Sequence, residues 1–349
     1  MRTLMLAAVR STPRPAPRRA AARLAAAGLG LALLAGCSSA STAPSESATS
    51  AAPSPSTAAF PVSLENCGVT VTVDQAPTRA VTMNQGATET LLALGLQGSM
   101  AGTAYLDDAV SPQWQAAYEQ VPVLSKEYPN QEKLLSVNPD FVAASYSSAF
   151  DAKAAGTRAE LAELGIATYV SPFACEDKSQ RAKPSWDAIF GEITEVATLF
   201  GDQSAATTLI TQQQEAVAKV SEAAPAKDKT ILWYDSGTKT PFVGAGQGAP
   251  QIMINALGGT NVFASLEGNW GDGSWEKVLE ADPDVIVLAD ASWDTAEAKK
   301  KYLKSDPTLK DLTAVRNDAF LVIPFSATTP GVRNAEGVTS LAEQLAGLS

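Results

Sequence analysis

One pattern occurs twice in this chain, once in each half, and the repeat limits the folds that the chain can adopt. The first copy spans residues 130–140 (NQEKLLSVNPD) and the second spans residues 274–284 (SWEKVLEADPD). Each copy starts with a residue typical of a helix N-cap, contains a proline that stops the helix, and leads into an apolar run. The repeat predicts two similar α/β lobes related by a pseudo-twofold axis.

Strand-like and helix-like segments alternate around both copies of the repeat. In the first half, strand-like runs lie at residues 69–73, 80–83, 101–105, 141–145 and 168–170, and helix-like runs lie at 88–94, 131–137 and 158–164. In the second half, alternating segments lie at 231–234, 252–257, 277–281, 285–289, 321–325 and 339–345. This βαβα order predicts mainly parallel sheets that are covered by helices.

A helix-like stretch without internal proline separates the two halves. It covers residues 184–225, and Gly201-Asp202 is the place where it would be interrupted. We therefore predict an α/β fold in which two doubly wound lobes, residues 60–183 and 226–349, are joined by one long helix. A helical strut of this kind predicts little closure of the lobes around a ligand.

The first 36 residues are typical of an export signal. They contain six arginines and no acid, and they end in the apolar run LAAAGLGLALLA. This run is shorter than the ~20 residues that cross a membrane. The following Leu34-Ala35-Gly36-Cys37 resembles the bacterial lipobox, so we predict a signal peptide over 1–36 and acylation of Cys37. The alternative is an ordinary signal peptide with a chance cysteine.

Residues 37–59 are predicted to be a disordered, lipid-anchored tether, because they are almost entirely Ser, Thr, Ala and Pro. With Cys37 assigned to lipid, Cys67 and Cys175 remain of the three cysteines. In an exported and therefore oxidising setting we predict that they form a disulfide. Two unpaired buried thiols are the alternative.

The ionisable residues exclude several functions. The chain has 26 Lys and Arg against 37 Asp and Glu, a net charge of −11, and it has no histidine. Ser-His and Cys-His catalytic pairs and histidine-ligated metal sites are therefore impossible. The acidic balance argues against a nucleic-acid partner, because phosphate binding needs clustered cations. No cofactor is predicted.

Several segments together resemble a known family. The lipobox, the tether, RAVTMNQGATETLLALGL, EKLLSVNPDFVAA, the linker and SWEKVLEADPDVIVL are similar to the solute-binding lipoproteins of bacterial ABC importers. The similar class is the helix-hinged one, which captures iron-siderophores, cobalamin and haem. WYDSGTKTPFVGAGQGAP and PFSATTPGVRNAEG also resemble actinobacterial members, some of which are proposed to bind a deazaflavin precursor.

The resemblance implies a membrane-tethered, extracytoplasmic monomer that is not an enzyme and that delivers its ligand to a dimeric permease. One glutamate on each lobe of such proteins docks onto the permease, and by motif these match Glu132 and Glu276. Both lie in the first turn of a predicted helix, in identical register. The alternative is that each acid merely complements the helix dipole.

Candidate ligand contacts follow from the rule that ligands bind beyond the carboxyl ends of parallel strands. The candidates are Asn84, Gln85, Tyr105, Tyr128, Tyr146, Tyr234, Asp235, Trp270, Trp293 and Arg333. Arg333 is the candidate for a carboxylate or phosphate contact. These aromatic residues suit a bulky ligand, and we predict an iron-siderophore or similar metal chelate held without protein-metal bonds.

Three other interpretations remain open. Cobalamin, haem or a deazaflavin precursor would keep the importer role but change the ligand. An exported hydrolase with paired carboxylates could draw on Asp107, Asp108, Asp235 and Asp272. A lipid-tethered adhesive protein would need neither the docking glutamates nor the aromatic strand ends.

Overall fold

The computed structural model describes residues 59–348, all within one compact unit. The predicted signal peptide, Cys37 and the tether up to residue 58 lie outside these residues. The strands are β1 (Val62–Asn66), β2 (Val69–Val73), β3 (Ala80–Met83), β4 (Met100–Ala104), β5 (Val123–Ser125), β6 (Phe141–Ala144), β7 (Ala167–Val170), β8 (Thr230–Ser236), β9 (Phe242–Gly244), β10 (Thr260–Asn261), β11 (Trp270–Asp272), β12 (Val285–Asp290) and β13 (Phe320–Pro324). The helices are α1 (Gln85–Ala93), α2 (Gln115–Tyr118), α3 (Gln131–Leu135), α4 (Arg158–Glu163), α5 (Trp186–Leu199), α6 (Gln203–Ala223), α7 (Ala249–Leu257), α8 (Trp275–Ala281), α9 (Ala296–Ser305), α10 (Thr313–Arg316) and α11 (Asn334–Gly347).

The first lobe contains a parallel sheet in the order β5-β4-β3-β6-β7. Every residue of β3 and β6 is buried. Such continuous burial is expected for strands that are covered on both faces by helices. This confirms the parallel α/β lobe predicted from the βαβα order.

The second lobe contains a mixed sheet in the order β11-β9-β8-β12-β13, with β10 beside β8. Strands β8, β12 and β13 are parallel, whereas β9 and β11 add an antiparallel edge. The central strand of each lobe pairs with the strand that follows the repeated helix: β3 with β6 after α3, and β8 with β12 after α8. The repeat therefore occupies equivalent places in the two lobes.

The predicted strand at 69–73 does not join the parallel sheet. It forms an antiparallel hairpin with β1, in which Val62 pairs with Val73. Cys67, in the hairpin turn, is bonded to Cys175, with 5.2 Å between their Cα atoms. The predicted disulfide is present, and it attaches the hairpin to the segment that follows β7.

The linker contains two helices rather than one. Gly201 adopts φ +73°, and Asp202 caps α6 by accepting a hydrogen bond from the Ala205 amide at 3.0 Å. Helix α5 packs in the core of the first lobe, and α6 alone crosses between the lobes. Its Ala206 lies in the first lobe's core and its Val217 in the second's. The strut is thus the 21 residues of α6, which span about 31 Å at 1.5 Å per residue.

No helix within residues 59–348 is long and apolar enough to cross a membrane.

Candidate ligand-binding cleft

A cavity of about 390 Å³ lies between the two lobes. The first lobe contributes the start of α1 and the loops after β6 and β7, and the second contributes the start of β11 and the loop after β13. The lining includes the hydroxyls of Thr90, Ser145, Ser147, Ser148, Ser171, Ser326 and Thr329, and the aromatic rings of Tyr146, Phe173, Trp270 and Phe325. The cavity therefore combines many hydrogen-bonding groups with flat apolar surfaces.

Three of the predicted contact residues line this cavity: Gln85, Tyr146 and Trp270. Gln85 opens α1 directly after β3, and Tyr146 follows β6, as expected for side chains at the carboxyl ends of parallel strands. Trp270 reaches the cavity from the antiparallel edge of the second lobe and stacks on Phe242, with 6.2 Å between ring centroids.

Three further predicted residues lie behind the first lobe's wall. Asn84 is 1% exposed and has φ 69°, and its side-chain oxygen accepts a hydrogen bond from the Tyr128 hydroxyl at 3.1 Å. Tyr105 packs edge-on against Tyr128 at 4.6 Å between centroids. Tyr128 also shares a 3.2 Å hydrogen bond with Ser148, which lines the cavity. These residues support the wall rather than line the cavity.

The prediction for Tyr234 is corrected by the structure. Its side chain is 1% exposed in the core of the second lobe, because β8 continues to Ser236 instead of ending at Tyr234. The neighbouring Asp235 accepts a hydrogen bond from the Ser236 hydroxyl at 2.9 Å and does not line the cavity. Trp293 is 62% exposed and lies edge-on to Phe325, a cavity residue, so it stands beside the cleft.

Arg333, the predicted anion contact, is also corrected. It is 6% exposed, and its Nη1 lies 3.3 Å from Glu89 Oε1 on helix α1 of the other lobe. The same nitrogen donates to the Ala109 carbonyl at 3.2 Å and to the Ser326 hydroxyl at 2.5 Å. The guanidinium therefore ties the lobes together and is not free to meet a ligand anion.

Glu89, which the sequence analysis did not select, is the centre of this tie. It accepts hydrogen bonds from the Gln85 side chain at 2.7 Å and the Ser111 amide at 3.0 Å. Burial raises the pKa of Glu89 to about 7, and the nearby Arg333 opposes this rise. Desolvation thus outweighs the attraction of the cation. In the sequence Glu89 lies between Thr88 and Thr90, so no local pattern marked it as buried.

Glu192 is a second acid that the sequence analysis missed. It lies on α5, is 9% exposed and lines the cavity. Burial raises its pKa to about 7, against a hydrogen bond with Ser171 that lowers it. Its neighbours Ile189 and Ile193 are core residues, so the helical pattern around Glu192 indicates only a buried face.

The disulfide holds one wall of the cleft. Cys175 ends the loop that carries Phe173 and Ala174, both of which line the cavity. Arg181, also in the lining, donates from Nε to the Cys175 carbonyl at 2.6 Å. The bond from Cys175 to Cys67 therefore fixes this loop to the hairpin β1–β2.

The lining is poorly suited to direct metal coordination by protein. Burial and the nearby Asp107 raise the pKa of Tyr146 to about 12, so its phenol stays protonated at neutral pH. Phenolate, not phenol, is the form that would bind a ferric ion strongly. Within residues 59–348 no group of three or more Cys, Asp or Glu side chains is arranged to hold a metal ion.

The family model for periplasmic binding proteins matches residues 81–327, more than half of the chain. The chain belongs to the periplasmic binding protein family. The fold agrees, since a crystal structure of a periplasmic binding protein from Veillonella parvula has a TM-score of 0.71 and 30% identity, covering 82% of this chain and 97% of that one.

Two other similar proteins carry more specific names. The crystal structure described as an ABC-type Fe3+-hydroxamate transport system from Saccharomonospora viridis has a TM-score of 0.66 and 26% identity, covering 82% of this chain and 99% of that one. The cobalamin-binding protein of Halobacterium salinarum is 27% identical over 245 residues, 65% of this chain. The chain matches only 58% of that relative's length. Both names describe binding or transport.

The two predicted docking glutamates of this periplasmic binding protein lie at equivalent positions. Glu132 is in the first turn of α3, whose cap Asn130 accepts a hydrogen bond from the Lys133 amide. Glu276 is in the first turn of α8, whose cap Ser274 accepts one from the Lys277 amide. Both glutamates are exposed, so each lobe presents one carboxylate at the same point of the repeat.

Proposed function

We propose that this chain is the lipid-anchored solute-binding component of an ABC importer, and that it captures an iron-siderophore or a similarly bulky metal chelate in the inter-lobe cleft. The cavity between the lobes of a periplasmic binding protein is the observation that carries the proposal. Its volume of about 390 Å³ lies within the ~300–1,000 Å³ range of ligand sites.

The chemistry of the lining supports a chelate that keeps its own coordination shell. Hydroxyl groups can bond to the oxygen-rich exterior of such a ligand, and Tyr146, Trp270 and Phe325 offer flat surfaces for its apolar parts. The chain has no histidine, and the phenol of Tyr146 is protonated at neutral pH because its pKa is raised to about 12. Both facts favour binding through the exterior of the chelate over direct bonds from the protein to the metal.

Cobalamin is the second candidate, because the Halobacterium relative is named for it. A fluorescence screen separates the two candidates. Ferric hydroxamates, ferric catecholates, ferric citrate, cobalamin and haem are titrated against the purified chain while the tryptophan emission is followed. We expect saturable quenching by an iron chelate, and a Trp270→Phe variant should quench less while a Trp114→Phe variant, altered outside the cavity lining, responds like wild type. If cobalamin alone binds, it takes the place of the iron chelate as the proposed ligand. If none of the tested compounds binds, the proposal is contradicted.

The docking role of Glu132 and Glu276 is tested in cells. Changing both to Ala should abolish uptake of the ligand but leave its affinity for the purified protein unchanged, because both carboxylates lie outside the cavity lining. Glu280→Ala, an exposed glutamate on α8, is the matched control and should transport normally. A fall in affinity in the double variant would place these residues in the binding site instead.

A further inference from the structure

The lining of the cleft includes an acid, Glu192, to which the proposed function assigns no role. Glu192 is one of three charged side chains in the lining, together with Asp107 and Arg181. Two of the three are acids. Glu192 is the most buried of them, at 9% exposure.

The surroundings of Glu192 contain no cation that pairs with it. Its hydrogen-bond partner is Ser171, in the loop after β7, and no salt bridge within residues 59–348 includes Glu192. On its own helix, Glu195 lies one turn away and adds negative charge. From β7, the Tyr169 hydroxyl donates to Glu195 at 2.7 Å.

Arg181 is the one cation of the described cavity lining, and it forms no salt bridge with Glu192. Arg181 is exposed, and its Nε donates to the Cys175 carbonyl at 2.6 Å. Asp107, the other acid of the lining, has its pKa raised by burial and then by the adjacent Asp108. The described lining therefore offers Glu192 no paired positive charge.

We propose that the ligand carries a cationic nitrogen, such as a primary ammonium group, and that this nitrogen docks against Glu192. The inference rests on the proposed function and adds the charge of the chelate to it. Burial disfavours the ionised form of Glu192, and that form becomes stable only when it is paired and hydrogen-bonded. A ligand cation supplies this partner. Chelates that carry free carboxylates would instead be repelled by Glu192 and Asp107.

Docking of the ammonium group changes the protonation of Glu192. In the free protein the acid is largely protonated below about pH 7. On binding it loses that proton to solvent, while the ligand nitrogen remains protonated, so no covalent step is involved. Affinity for a cationic chelate should therefore increase from pH 6 to pH 8, because a smaller fraction of Glu192 is protonated before the ligand binds.

The test uses two ferric trihydroxamate chelates that differ at one group. One has a free terminal primary amine, and in the other the same amine is acetylated. Dissociation constants with the purified full chain are measured by tryptophan quenching at pH 6, 7 and 8. At pH 8 we expect at least about tenfold tighter binding of the amine form, and a smaller ratio at pH 6.

Variants identify the residue. Glu192→Gln should remove the preference between the chelates, while Glu195→Gln, which removes an equal charge one turn away but does not line the cavity, should keep it. The pH dependence of the wild-type ratio needs no variant and therefore does not depend on the folding of Glu192→Gln. Equal binding of both chelates by the wild type would overturn the inference and leave the proposed function intact. A preference that survives in Glu192→Gln would also overturn it. Failure to bind either chelate would overturn it as well, whereas the proposed function is contradicted only if no ligand of the wider fluorescence panel binds.

Discussion

Glu89 and Arg333 form a buried pair. We predict that a Glu89→Gln variant becomes more stable relative to the wild type as pH rises. The pKa of Glu89 is raised from 4.5 to about 7 in the folded protein, chiefly by burial. Below about pH 4.5 the acid is protonated in both the folded and the unfolded states. Above about pH 7 it is ionised in both, and the folded state then bears the cost of a buried charge. The contribution of Glu89 to folding stability is therefore lost as pH rises from about 4.5 to about 7.

The size of the effect follows from the shift. One pKa unit corresponds to 1.36 kcal/mol, so a rise of about 2.5 units amounts to about 3 kcal/mol across this pH range. Glu89→Gln removes the titrating group but keeps an acceptor for the Gln85 side chain and the Ser111 amide. Relative to wild type, the variant should gain up to about 3 kcal/mol between pH 4.5 and pH 8.

Urea unfolding, followed by tryptophan fluorescence at several pH values, measures this gain. Other titrating groups, Glu192 among them, are present in both proteins, so they cancel in the difference between the two free energies of unfolding. Glu163→Gln, on α4, serves as the control for the chemical change. A variant that becomes less stable than wild type as pH rises would refute the reasoning. It would show that attraction to Arg333 exceeds the cost of desolvation.

Three further predictions concern the anchor, the disulfide and the lobes. Cys37→Ser should move the protein from membranes into the soluble fraction, and unchanged membrane retention would contradict acylation. Replacing Cys67 and Cys175 by Ser should lower stability by at most about 5 kcal/mol, from the chain entropy of the 108-residue loop, and should weaken ligand binding through the loosened cleft wall. Unaltered ligand affinity would show that the cleft wall keeps its structure without the disulfide. Small-angle scattering should give nearly the same radius of gyration with and without bound chelate, and a clear decrease would contradict the limited closure inferred from α6.

The fold was largely predictable because its signals are local. The buried strand β6 is a continuous apolar run, and β3 is apolar except for Thr82. The repeated helices α3 and α8 carry their caps and prolines within a few residues of each other. The antiparallel edge formed by β9 and β11 was not predicted. Each of these strands has only three residues, too few to show a clear alternation of apolar and polar positions.

The site was less predictable because its residues meet across long distances in the sequence. Arg333 pairs with Glu89 from 244 positions away, so no local pattern distinguishes it from an arginine that is free to bind an anion. Tyr234 shows a different limit: an error of two residues at the end of β8 moved its predicted side chain from the core to the cleft. Gln85 and Tyr146, which follow correctly located strands, do line the cavity, and their contact with a ligand stays a prediction.

The contacts between the lobes explain why the cleft should be largely preformed. Glu336 on α11 accepts hydrogen bonds from the Ser111 hydroxyl and the Gln113 side chain of the first lobe, both at 3.0 Å. Gln213 on α6 donates to the Val332 carbonyl at 2.9 Å, beside the same contacts. The lobes are thus tied next to the strut, and a large closure would have to break these polar contacts. Among the contacts between the lobes, the bond from Arg333 to Glu89 is buried, and a buried polar group left unpaired costs about 1–3 kcal/mol. Affinity then depends on how well the fixed lining matches the ligand, since little of the binding energy is spent on moving the lobes.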